Sequence, residues 1–245
     1  MAEINGWEYI ALKSAGSTNE EAQKYCALQN RKTVVRADVQ TAGRGRRGRN
    51  WISEYGNLFC SLVFEFDLKH FGYLVMISAL SLAQAVESFS KQIRPQLKWP
   101  NDVLLNGKKL SGILLEKGEG DYIIVGIGVN IASAPEKEKL LYQATSLSEH
   151  GIDCTAEEFL SVYLQMFDQN LSLFDKQKNK QRTEWLKRAY GIGRQIKVCC
   201  NSREEKGIFI GIDDDMTLLL QQGEKIKKIL AGDVFFENGE INEGI

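Results

Sequence analysis

The chain has 245 residues, 43% hydrophobic and 26% charged, with a formal net charge of −1. That is ordinary globular material, enough for one large domain or a large one plus a small one, and too neutral for a globally basic nucleic-acid binder. With two histidines and five cysteines that lack CxxC or metal spacing, a histidine-rich metal site or triad is not expected and the thiols read as reduced. No signal peptide is recognisable, and the apolar stretch from Tyr73 to Val86 is too short to span a bilayer, so a cytoplasmic protein without a membrane segment is expected.

Trp7 to Leu12 predicts a short strand. Ser17 with Glu20 three residues on is a capping-box pattern, predicting a helix to about Leu28. Its exposed hydroxyls and amide are also candidates to face a ligand. Val34 to Gln40 is strand-like. Residues 40 to 51 then hold Arg44, Arg46, Arg47 and Arg49 among Gly43, Gly45 and Gly48. Arginine forks pair with carboxylate or phosphate, and glycine lets a backbone approach a ligand. This loop reads as an anion cradle.

Leu58 to Phe66 predicts a central strand, and Phe71 to about Lys91 a buried helix from its apolar spacing. Pro100 breaks any strand through Leu97 to Leu105 and leaves a bend carrying Lys98, Asn101 and Asp102. Asn106-Gly107 is a hairpin signal joining Val103–Leu105 to Leu110–Leu115. Gly120-Asp121 predicts a turn. Tyr122 to Ile131 is a strand whose Gly126 and Gly128 suggest either close approach of a ligand or a bulge.

Ala134 to Leu140 reads as a charged loop and Thr145 to His150 as a short helix ending at Gly151. Thr155 caps a long helix with Phe159, Tyr163, Phe167, Leu171 and Phe174 as its apolar stripe. Lys176 to Arg188 predicts a further helix with a solvated face. After Gly191-Ile192-Gly193 come short β-like runs, Gln195–Cys200, Lys206–Ile212, Thr217–Gln221, Ile226–Leu230 and Val234–Glu237, spaced as in a small β-barrel.

Gly43 to Gly48 matches GxGxxG literally, but a dinucleotide-binding turn needs a helix next, and an apolar strand follows instead. No Walker A sequence occurs, because Gly107-Lys108 is followed by Lys109. A Gly/Arg segment can bind RNA, but such segments are long and repeated, whereas this one is short and lies between two strands.

Four blocks occur in order: Gly43-Arg-Gly-Arg-Arg-Gly-Arg-Asn-Trp51, Lys98-Trp-Pro-Asn-Asp102, Lys109-Leu-Ser-Gly-Ile-Leu-Leu-Glu116 and Gly126-Ile-Gly-Val-Asn130. With Ser17-Thr18-Asn19 and Gln40 they resemble the biotin protein ligases, densely over residues 9 to 131. The resemblance implies an α+β fold: a mixed-sheet biotin/lipoate ligase-like catalytic domain over 1–190 and a small SH3-like β-barrel over 191–245. It implies two steps. Biotin and ATP, with Mg²⁺, give biotinyl-5′-adenylate, and a lysine of a biotin carboxyl carrier protein then takes the biotinyl group.

By the same resemblance Arg46 and Lys109 are the catalytic candidates. Ser17, Thr18, Asn19, Gln40, Arg44, Gly45, Arg46, Lys109 and Gly112 are implied to bind biotin. Arg46, Arg49, Trp51, Asn101, Asp102, Lys109 and Asn130 are implied on the ATP side, with Asp102 the candidate Mg²⁺ ligand. Ser17 lies too near Met1 for the DNA-binding domain that many bacterial relatives carry, so no DNA partner and no repressor role are expected. A homodimer is left open. A lipoate ligase shares the catalytic fold and stands as the alternative, followed by an arginine-loop nucleic-acid module.

Overall fold

A computed structural model describes residues 2–26, 31–136, 143–200 and 203–236. Eight strands form one mixed sheet: β1 (Ala2–Ile4), β2 (Trp7–Ala15), β3 (Thr33–Gln40), β4 (Leu58–Glu65), β5 (Gln96–Lys98), β6 (Asp102–Leu105), β7 (Lys108–Lys117) and β8 (Tyr122–Val129). Their spatial order is β1-β2-β3-β4-β8-β7-β6-β5. The β2–β3 pair is parallel and the other pairs are antiparallel. Helix α1 (Thr18–Gln23) joins β2 to β3, which the parallel pairing requires.

The two faces of the sheet have different fates, and the period of two along each strand decides which residue meets which. On β8, Ile123, Val125, Ile127 and Val129 point into the main core, while Ile124 packs in a second cluster with Ala22, Cys26, Val35 and Val63. Gly126 and Gly128 share the face of Ile124. On β4, Leu58, Cys60, Leu62 and Phe64 enter the main core, and Ser61 and Val63 face the other way.

The main core is closed by α2 (Phe71–Phe89), α3 (Ala156–Ser172) and α4 (Phe174–Arg188). Residues Leu68–Phe89 are apolar and long enough to cross a bilayer by composition, but 67% of that window is buried in the fold. Phe159, Tyr163 and Phe167 of the predicted α3 stripe are fully buried, Leu171 is partly buried, and Phe174 lies instead at the start of α4, because α3 ends at Ser172. Thr155 and Glu158 complete a reciprocal capping box, each side chain bonded to the other's backbone N–H. The helix α4 departs from a purely solvated role. Trp185 and Gln181 are buried, and Arg188 forks onto Glu87 through two 3.0 Å bonds.

The predicted hairpin forms, with Asn106 at φ 48° and Gly107 at φ 72°, the conformation that an Asn-Gly turn supplies. The bend at Pro100 separates β5 from β6 as expected. Thr145 to His150 tightens to a short 3₁₀ turn, Ser148–His150, ended by Gly151 at φ 73°. The Ser17 capping box is corrected: α1 has no side-chain cap bond, and both Ser17 and its neighbour Thr18 are buried. The predicted continuation of α1 is corrected too: the helix ends at Gln23 and residues 24–26 form turns. Residues 27 and 28, the charged loop beyond residue 136 and Glu237 lie outside the described residues.

After Gly191, strands β9 (Gln195–Cys200), β10 (Arg203–Ile212), β11 (Leu218–Gln222), β12 (Lys225–Ile229) and β13 (Asp233–Phe236) form a second, antiparallel sheet in the order β12-β11-β10-β9-β13. Among the described residues β12 and β13 are its edges and do not pair. This small sheet is tied to the rest of the chain where Trp99 Nε1 donates to Met216 O at 3.0 Å.

Candidate active site

The cleft lies on the α1 face of the large sheet, with a volume of about 470 Å³. Ser17, Thr18, Asn19, Gln40, Arg44, Gly45, Arg46, Arg49, Trp51, Asn101, Asp102, Lys109, Gly112 and Asn130 all line it. The structure thus brings together every candidate residue named from the sequence.

Its base is flat because the strands place glycine where a side chain would stand. A Cβ on Gly126 would lie 2.2 Å from Asn19 Oδ1, and one on Gly128 would lie 2.4 Å from the Trp51 ring. Neither distance is tolerable, so the two glycines make room for Asn19 and Trp51. Close approach, not a bulge, is their role: β8 stays in register with β4 and β7 throughout.

One end of the cleft is a neutral polar network. Gln40 Oε1 accepts from Thr18 N at 2.8 Å and lies 3.1 Å from Thr18 Oγ1. Ser61 Oγ is 2.8 Å from Thr18 Oγ1 and 2.6 Å from Asn19 Oδ1. Gln40 Nε2 reaches Ser53 Oγ at 3.2 Å. Polar side chains on the first turn of α1, on β3 and on β4 therefore converge on one small volume.

The other end is cationic. Arg46 Nη1 donates to Asn101 Oδ1 at 3.1 Å, and Asn101 is itself fixed by Nδ2 donating to Ile113 O at 2.7 Å. Burial pushes the Arg46 guanidinium down, against the pull of Asp233 and Asp102. Lys109 Nζ pairs with Asp102 Oδ1 at 2.8 Å and stands 5.3 Å from the Trp51 ring centroid, a cation–π distance. Lys98 sits opposite Asp102 in the β5–β6 register, and burial lowers its pKa, opposed by Asp102.

The arginine loop spans both ends. Gly45 N donates to Arg49 O at 2.7 Å and Trp51 N to Gly43 O at 2.9 Å, so the loop is a small hairpin around a 3₁₀ turn at Arg46–Gly48. No helix follows it, which disposes of the dinucleotide-fold likeness. Arg44 turns outward to Glu116 at 3.0 Å and Glu20 at 3.3 Å. Arg47 and Arg49 reach Asp233 of the C-terminal sheet.

Three residues at the site were given no role from the sequence: Ser61, Glu116, which falls inside the third of the four blocks, and Asp233. Ser61 and Glu116 alternate with core residues on their strands, so their spacing marked them as facing the cleft, but nothing local marked their partners.

A flat slot with neutral hydrogen-bonding groups at one end and three or more cations at the other suits a small apolar carboxylic acid placed beside a nucleotide phosphate. The fold and cleft thus define a class, the ligases that activate an acid. Residues 12–130 match the Biotin/lipoate A/B protein ligase family, and residues 191–237 match the Biotin protein ligase C terminal domain. The biotin–[acetyl-CoA-carboxylase] ligase of Paracoccus denitrificans is 37% identical over 237 residues, 92% of this chain and 99% of that protein. The bifunctional ligase/repressor of Bacillus subtilis is 36% identical over 82% of this chain, which spans 65% of that protein. The biotin protein ligase from Aquifex aeolicus in complex with biotin and ATP superposes with a TM-score of 0.81 at 32% identity, covering 93% of this chain and 97% of that one. The chain belongs to the biotin/lipoate A/B protein ligase family, among its biotin protein ligases.

Proposed function

We propose that the protein joins biotin to AMP and then passes the biotinyl group to a lysine of a biotin carboxyl carrier protein. The observation that carries this reading is the meeting of Thr18 and Gln40 with Arg46, Asn101, Lys109 and Asp102 in one cleft. Residues 1–190 form the catalytic part in this reading, and 191–245 the C-terminal domain that supplies Asp233.

Biotin's ureido ring, a rigid set of two N–H donors and one carbonyl acceptor, sits against Ser17, Thr18, Asn19 and Gln40. Its apolar ring and chain cross the glycine base at Gly112, Gly126 and Gly128, beside Trp51. Its carboxylate then meets Lys109 and Arg46, with Arg44 and Gly45 at the loop's hinge. ATP occupies the side of Arg49, Trp51, Asn101, Asp102 and Asn130.

In the first step a carboxylate oxygen of biotin attacks the α-phosphorus of ATP, and pyrophosphate leaves. Two anions must approach within about 3 Å, which is why cations crowd this end. Lys109 and Arg46 offset that repulsion and the charge that builds on the phosphorus. In the second step the lysine ε-amine of the carrier attacks the acyl carbon, AMP leaves and the amine loses a proton. The intermediate is a mixed anhydride held without a covalent bond to the enzyme, so no cysteine nucleophile is used.

Mg²⁺ needs few protein oxygens when phosphates supply the rest. Among the described residues no three acidic, histidine or cysteine side chains cluster as a metal site. Asp102 lines the cleft, and the buried Asn130 Oδ1 has no hydrogen-bond partner, so these two fit an ion that arrives with ATP. When bound, it would neutralise phosphate charge.

The carrier is taken to belong to a biotin-dependent carboxylase, and the setting to be cytoplasmic. The reading is tested by biotin-dependent exchange of labelled pyrophosphate into ATP. Exchange that needs biotin supports it; no exchange, or exchange driven by lipoate alone, refutes it.

A further inference from the structure

Glu116, on β7, takes no part in the chemistry assigned above. Its Oε2 accepts from Asn19 Nδ2 at 2.7 Å and from Arg44 Nη2 at 3.0 Å. An ionised carboxylate only accepts, so Asn19 must turn its NH₂ group towards Glu116. Asn19 Oδ1 is then left facing Ser61 Oγ at 2.6 Å, held there with Gly126 directly against it.

The consequence runs down the network. Ser61 has a single hydroxyl proton, and the Asn19 carbonyl can only accept it. The Thr18 hydroxyl, 2.8 Å from Ser61 Oγ and 3.1 Å from Gln40 Oε1, then gives its one proton to one of these two acceptors. Gln40 Oε1 is not left wanting, because it accepts the Thr18 backbone N–H at 2.8 Å. The Thr18 oxygen is left with lone pairs, an acceptor for a ligand N–H. Reversing Asn19 would place a carbonyl against the carboxylate and strip this polarity.

The same network is anchored at both ends in one short segment. Arg44 starts it and Gln40 ends it, at the two sides of the loop's entry. From this geometry we infer that Glu116 is a positioning residue for the ureido ring. It sets the proton direction through Asn19 and Ser61, and through Arg44 it holds that arrangement to the loop. The inference rests on the biotin-ligase reading above and goes beyond it, since Glu116 itself need not touch the ligand.

The test measures the KM of biotin and of ATP separately, by pyrophosphate release. Glu116→Gln is isosteric at a strand position whose side chain is 31% exposed, so folding is preserved. It should raise the biotin KM about tenfold, the scale of one charge-assisted hydrogen bond, and leave the ATP KM within about twofold. Asn19→Asp sets two carboxylates against each other and should raise the biotin KM at least as much. Combining Glu116→Gln with Asn19→Asp restores one amide facing one carboxylate and keeps an acceptor for Ser61. The double variant should recover to within about threefold of wild type, a coupling that independent sites do not show. An unchanged biotin KM in Glu116→Gln, equal rises in both KM values, or additive loss in the double variant would overturn the inference. Absence of biotin-dependent pyrophosphate release in the wild-type protein would instead sink the ligase reading, and this inference with it.

Discussion

Asp233 Oδ1, at the start of the last strand, lies 3.0 Å from Arg49 Nη2 in the arginine loop. The same carboxylate stands 3.3 Å from Arg47 and 3.8 Å from Arg46. One anion of the C-terminal sheet thus faces three arginines, two of which, Arg46 and Arg49, also face phosphate in the proposed reaction. Asp233→Asn should keep the fold and release the adenylate about three- to tenfold faster, since a partly exposed pair contributes up to about 1 kcal/mol and three share this carboxylate. Trp51 lines the cleft and reports the release by stopped-flow fluorescence. An unchanged rate would confine Asp233 to holding the two sheets together.

Lys109 is paired with Asp102 and stacked over Trp51. Lys109→Ala should lower adenylation about a hundredfold or more, the loss expected for one group that stabilises charge in the transition state. Its melting temperature should shift by only a few degrees, because the lysine is partly exposed. Single-turnover pyrophosphate release and a thermal melt separate the two effects. Wild-type release would remove Lys109 from the chemistry.

Gly128→Ala forces a methyl group to within 2.4 Å of the Trp51 ring unless one of them moves. The ring is the part with room to shift, and it would rise into the slot. Biotin and ATP should both bind at least about tenfold more weakly, with a stability loss of roughly 1–3 kcal/mol from overpacking. Titration calorimetry alongside urea unfolding checks both. Unaltered affinity would show that Trp51 does not shape the slot.

Thr155→Ala breaks the capping box of α3 far from the cleft. It should cost about 1 kcal/mol, a melting-temperature drop of roughly 2–4 °C, with adenylation unchanged. The Thr155 backbone N–H, and next its hydroxyl, hold the Glu158 carboxyl below the usual carboxylate range. A depressed folded pKa stabilises above the unfolded value of about 4.3 and is lost as pH falls through the folded value. The stability gap between wild type and variant should therefore narrow on acidification below about pH 4.3. A gap that widens there would contradict the assignment of the bond to ionised Glu158.

The two capping patterns show where sequence reading works and where it stops. Ser17-Glu20 and Thr155-Glu158 have the same spacing, yet only the second forms the box. Thr155 is exposed at the start of its helix, so local bonding decides. Ser17 is buried at the cleft, where Arg44 draws Glu20 away at 3.3 Å. The strands, the Asn106-Gly107 turn and the α3 stripe were legible because their causes are local: alternation, positive φ and helical period. The candidate residues were legible because they recur in fixed blocks. The contacts of Asp233 and of Glu116, which closes the third block, were not, because each acts on a loop that only the folded chain brings near. The alternation on β7 and β8 sorts residues to a face but does not say which side chains meet across it.

The two-step ligase account meets its most direct test in one measurement. The protein is incubated with biotin, ATP, Mg²⁺ and a biotin carrier domain, and the intact mass of the carrier is recorded. The account predicts a gain of one biotinyl group on a single lysine, dependent on ATP and abolished in Lys109→Ala. An unmodified carrier, or a carrier that gains lipoyl in preference to biotinyl when both acids are supplied, would contradict it.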